Sequence, residues 1–107
     1  MTRFVIPTSL TLLLTAFSNV VYADVNIEQM SNEALLECAN VSNVQSAVPE
    51  HRASFRNYLM SVRNYSFSKL SSAELEFKAK NKNTTDVLVV YQSQCRELGE
   101  HLYSIGY

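Results

Sequence analysis

Leu88-Val89-Val90-Tyr91-Gln92-Ser93-Gln94-Cys95-Arg96-Glu97-Leu98-Gly99-Glu100-His101-Leu102-Tyr103-Ser104-Ile105 is the stretch that decides the fold. Within it Leu88, Tyr91, Cys95, Leu98, Leu102 and Ile105 recur at intervals of 3, 4, 3, 4 and 3 residues. That alternation keeps apolar side chains on one side of an α-helix, so the C-terminal part of the chain reads as one amphipathic helix. Cys95 lies in the middle of its apolar seam. Earlier in the chain, Ala34, Leu35, Cys38, Ala39 and Val41 form a second stripe at helical spacing, with Cys38 in its middle. Two such stripes packed face to face bring both sulfurs into one core. These are the only two cysteines, so a single intramolecular pairing is available. In an oxidising compartment the pattern predicts a Cys38–Cys95 disulfide between the first and last helices. Closing so long a loop stabilises a fold by roughly 4 kcal/mol on chain-entropy grounds.

The segments between these two stripes also read as helical. Ser31 suits the cap of a first helix running to about Ser46, with Glu33 in its first turn, where the helix dipole favours negative charge. Val48-Pro49 ends that helix, because the residue before proline is driven out of the α region. Pro49 suits the first turn of a second helix ending near Asn64. Its stripe is Phe55, Leu59 and Val62, flanked by Tyr58 and Met60, with Arg52, Arg56 and Arg63 on other faces. Tyr65–Leu70 reads as a connection. Ser71-Ser72-Ala73-Glu74 matches the S-x-x-E capping box of a third helix ending near Lys80. Thr84 or Thr85 is the expected cap of the last helix. With two glycines, two prolines and no convincing strand pair, the expectation is an all-α bundle of three to four helices.

The N-terminal end carries a different pattern. Met1-Thr2-Arg3 is a short positive start, Phe4–Phe17 is apolar, and Val21-x-Ala23 precedes Asp24. This layout predicts a cleaved secretory signal peptide over 1–23 and a single small domain over 24–107. The apolar run is shorter than the roughly 20 residues a membrane-spanning helix needs. The expected location is therefore outside the cytoplasm: the periplasm for a bacterial protein, otherwise the medium.

Most catalytic chemistries find no footing. There is no glycine-rich loop, no G-x-S-x-G elbow and no H-E-x-x-H pair. His51, between Glu50 and Arg52, reads as solvated, and His101 as an exposed partner of Glu97. Neither is placed to hold a metal, and no cofactor is implied. Three Asn-x-Ser/Thr sequons, at Asn40, Asn64 and Asn83, read as incidental in a chain rich in these residues. The expectation is no enzymatic activity.

The charge is nearly balanced overall, at −1, but it is sorted along the chain. Asp24–Glu50 carries five acidic residues and no basic one, whereas His51–Lys82 carries seven basic and two acidic. The basic part interleaves aromatics, and Arg52, Arg56, Tyr58, Arg63, Tyr65 and Lys69 form the candidate partner-binding set. Such interleaving suits nucleic acid, which export makes unavailable. A protein partner is the expected alternative, and the apolar seam also allows a homodimer. In size, address and cysteine count the chain resembles two groups of small exported bacterial proteins: periplasmic acid-stress chaperones and periplasmic immunity proteins against cell-wall-degrading toxins. The resemblance carries no functional residues over. The stapled scaffold, the sorted charge and the lack of a catalytic constellation point to action by contact, as an inhibitor or immunity factor. The alternative is a chaperone in which protonating Glu28, Glu33, Glu37 and Glu50 removes their attraction to the basic centre and exposes Leu88, Leu98 and Leu102.

Overall fold

The computed structural model describes residues 26–107, so the signal peptide expected over 1–23 lies outside the described residues. A 3-10 turn, Ile27–Gln29, leads into four helices with no strand among the described residues. Helix α1 is Asn32–Val41, α2 is Pro49–Arg63 and α3 is Phe67–Lys80. Helix α4 is one rod in three stretches: α-helical Thr84–Val90, π-helical Tyr91–Cys95 and α-helical Arg96–Ser104.

Each start has a chemical reason. Ser31 Oγ accepts from the Ala34 N–H at 3.1 Å and caps α1. Pro49 occupies the first turn of α2, which ends at Asn64 in the left-handed conformation, φ 61°, a geometry asparagine tolerates better than most residues. Three boundaries correct the sequence reading. Helix α1 stops at Val41 rather than Ser46: the Asn43 and Val44 N–H groups bond back three residues, to the Asn40 and Val41 carbonyls, in a run of turns. Helix α3 begins at Phe67, inside the expected connection, with Ser66 Oγ accepting from the Lys69 N–H at 3.1 Å. The Ser71–Glu74 box therefore lies mid-helix and caps nothing. Asn83, rather than Thr84 or Thr85, caps α4 by accepting from the N–H groups of Thr85 and Asp86.

The core lies between α1, α2 and α4. Leu35, Phe55, Leu59, Leu70, Tyr91, Cys95 and Leu102 are all but sealed from solvent. Cys38 and Cys95 are bonded, with their Cα atoms 5.3 Å apart, and join the first and last helices as expected. The π-helical stretch changes the seam of α4. The Arg96 N–H reaches back five residues to the Tyr91 carbonyl, and the wider turn re-phases the helix. The buried stripe becomes Val87, Tyr91, Cys95, Gly99 and Leu102, with Leu88 and Leu98 at its edges and Ile105 exposed. On α2, Val62 is likewise exposed, while His51, Ser54 and Arg56 are buried.

His51 is the largest departure from the sequence reading. It is buried, because Gly99 lets the ring lie flat against α4: a Cβ there would come within 2.6 Å of His51 Cγ. The Val48 N–H donates to Tyr91 Oη at 3.0 Å, and Tyr91 Oη lies 2.7 Å from His51 Nδ1. His51 Nε2 lies 3.3 Å from Glu100 Oε2, and a carboxylate can only accept, which puts a ring hydrogen on Nε2. This chain ties the α1–α2 turn, α2 and α4 together.

Candidate functional site

The six residues of the basic and aromatic set do not form one surface. Arg56 and Tyr58 are buried. Arg52 donates from Nε and a terminal nitrogen to the two oxygens of Glu74, at 2.7 and 2.8 Å. Arg56 donates to Ser71 Oγ at 3.4 Å, approaches Glu74 at 4.0 Å and covers the Phe67 ring. Arg63 donates to Asn32 Oδ1 at 2.6 Å and to the Ile27 carbonyl at 3.2 Å, so it anchors the N-terminal turn. Tyr58 stacks edge-on against Tyr107. Tyr65 is half-buried against the core, and of the six only Lys69 is exposed, its Nζ over the Tyr65 ring at 4.5 Å.

These contacts make Glu74 the electrostatic anchor of α3. The hydrogen bonds from Arg52 hold its carboxyl below the ordinary carboxylate range, against the opposing effect of burial. The same bonds raise Arg52, whereas burial lowers Arg56. The acidic stretch before His51 forms no ion pair with the basic centre among the described residues; the carboxylate partner of Arg52 and Arg56 comes from within the basic segment itself. Spacing gave no warning of this, because Arg52 and Glu74 lie on different helices.

Also on α3, Phe67 is 67% exposed and Leu75 69%. Phe67 stands two turns before Glu74 on the same face, under the Arg56 guanidinium, and Leu75 lies about a quarter-turn round from it. Ser68 and Ser72 flank Leu75 and are exposed. The sequence reading placed Phe67 in a connection, among the aromatics of the basic segment, and so on no helix face.

The three sequon asparagines all hold structural posts. Asn40 is buried, Asn64 closes α2 and Asn83 caps α4. Among the described residues no group of three or more His, Cys, Asp or Glu is placed to hold a metal ion, and no helix is long and apolar enough to cross a membrane. Compared with family models, curated proteins and solved structures, the chain has no match.

Proposed function

We propose that the protein works by contact with another protein, without catalysis, in an oxidising compartment outside the cytoplasm, in the manner of an inhibitor or immunity factor. The observation that carries this reading is the exposed apolar surface of α3. Two large apolar side chains, Phe67 and Leu75, are mostly in solvent on a helix that buries only Leu70 and Glu74. Apolar residues cost solubility where they are exposed in pairs, and such patches are retained where a partner covers them. The internal disulfide supports the compartment, because such bonds persist where thiols are not kept reduced.

A photo-crosslinking side chain at position 75 tests the reading in the compartment where the protein resides. A discrete crosslinked band is expected, weakened when Phe67→Ser is added to the same chain. A crosslinker at Gln92, on exposed α4, should give none. The absence of any band from position 75 contradicts the reading.

A second reading, an acid-released chaperone, draws on Glu74. Its carboxyl is held low, so the stabilisation it supplies is present above the ordinary carboxylate range and lost as pH falls through its depressed value. Acid would then undock α3 and uncover Leu70. Leu102 is fully buried in the core, so any client surface would come from α3. Unchanged aggregation of a client protein at about pH 3, below the ordinary carboxylate range, rejects this reading.

A further inference from the structure

Helix α3 carries a continuous stripe at intervals of 4, 4 and 3 residues: Phe67, Ser71, Leu75 and Lys78. Phe67, Leu75 and Lys78 are exposed, and Ser71 is half-buried. Beside the stripe runs the N-terminal half of α2, which sends Arg52 to Glu74 and Arg56 to Ser71. Two large apolar side chains therefore stand along a seam between two helices, about 12 Å apart on the axis of α3.

The charge along this seam is unbalanced. Arg52, by hydrogen bonding, and Lys78 and Arg56, by their charge, all hold the single carboxylate of Glu74 in its ionised form. Three cations therefore surround one anion. That anion is spent on Arg52, at 2.7 and 2.8 Å. Arg56 receives one hydrogen bond, to Ser71 Oγ at 3.4 Å, and its nearest Glu74 oxygen is 4.0 Å away. A guanidinium has five N–H donors, and this one is only 6% exposed. Burial, and then the neighbouring charge of Arg52, lower Arg56, as befits a cation short of a counter-charge. The other nearby acids face elsewhere. Glu76 lies half a turn round α3 from Phe67, on the side that carries Lys69, and Glu50 lies nearly half a turn round α2 from Arg52.

We propose that this seam between α2 and α3 receives an acidic amphipathic helix of the partner protein, its apolar side chains on Phe67 and Leu75 and its carboxylates towards Arg52, Arg56 and Lys78. The inference rests on the protein-contact reading and names the chemistry of the partner. A helix laid along α3 presents apolar residues seven positions apart, about 10 Å, which side chains extend to match the exposed pair. Its carboxylates supply the charge that Glu74 alone does not. A nucleic acid would also meet cations, but it needs free ring faces for its bases. Here Arg56 already covers one face of Phe67, and Leu75 offers none.

Two synthetic helical peptides of 14 residues, the length of α3, supply the probes. They share one leucine stripe at helical spacing and differ only in carrying glutamate or lysine elsewhere. Each is titrated into isotopically labelled, disulfide-bonded protein. The acidic peptide should shift the amides of Phe67, Ser71, Leu75 and Lys78 and the Nε–H of Arg56, and the basic peptide should shift none of them. Lys78→Glu should weaken binding about fivefold. Lys80→Glu makes the same charge change on the opposite side of α3 and should leave binding unchanged. Raising the salt from about 0.1 to about 1 M cuts the screening length from about 10 to about 3 Å and should weaken binding as well. Equal binding of the two peptides, or equal losses from the two lysine variants, overturns the inference and leaves contact through the apolar pair standing. No shift with the acidic peptide also overturns it, while the crosslink from position 75 decides the contact reading independently. Tighter binding of oligothymidylate than of the acidic peptide overturns it in favour of a nucleic acid.

Discussion

Helices α2 and α3 are nearly the same length but are held by different means. Helix α2 buries His51, Ser54, Phe55, Arg56, Tyr58 and Leu59 between α1 and α4. Helix α3 buries only Leu70 and Glu74, with Phe77 half covered. One helix belongs to a core closed by a covalent bond. The other is fastened to that core by one leucine and one carboxylate. Binding surfaces and moving elements are drawn from the less stable parts of a fold, and the exposed Phe67 and Leu75 both belong to α3.

The largest expected effect falls on the core. Replacing both cysteines, Cys38→Ser with Cys95→Ser, opens a loop of 57 residues and should remove about 4 kcal/mol. Domains of this kind have only about 5–15 kcal/mol in total, so the urea midpoint should fall steeply and the variant should be largely unfolded at physiological temperature. Next come matched truncations on the two helices. Phe55→Ala, at a site with no solvent exposure, should cost about 3–5 kcal/mol. Phe67→Ala loses only the exposed stacking of Arg56, about 1 kcal/mol or less. Equal losses in urea titrations would erase the distinction between the helices.

Gly99→Ala probes the closest approach of α2 to α4. The new methyl group would lie 2.6 Å from His51 Cγ, and forcing the ring away should cost about 1–3 kcal/mol. It should also break the hydrogen bond between His51 and Tyr91, visible as a shift of the His51 ring resonances. Glu74→Gln is the mildest change. It removes the ion pairs with Arg52 and Arg56 but keeps the shape of the side chain, for about 1 kcal/mol. Its effect should stay on α3, with increased amide exchange there and little change in the core.

The helical class and the staple were legible because both are periodic. Cys38 and Cys95 sit on apolar stripes, and a stripe is visible in a linear sequence. Three features were not legible, and each depends on another part of the chain. Arg52 and Arg56 read as surface charge until α3 brings Glu74 to them. His51 reads as solvated until Gly99 makes room for its ring. The seam of α4 shifts because the π-helical turn at Tyr91–Cys95 inserts a residue that a 3,4 count cannot anticipate. The start of α3 was missed because Ser66 caps it with Lys69, rather than an acid, at the third position, so the stronger-looking Ser71–Glu74 box drew the boundary. The contact face suffered in turn: a residue assigned to a connection cannot be placed on a helix face.

Native-state hydrogen exchange tests the division most directly. At neutral pH the amides of Leu70–Lys80 should exchange through an opening of lower free energy than those of Phe55–Met60 and Cys95–Leu102. The gap should widen as pH falls below about 4.5, the ordinary value for the Glu74 carboxyl, because the stabilisation from a depressed carboxylate is lost on protonation. Protection in α3 equal to that of α2, with no gap opening in acid, would contradict the account.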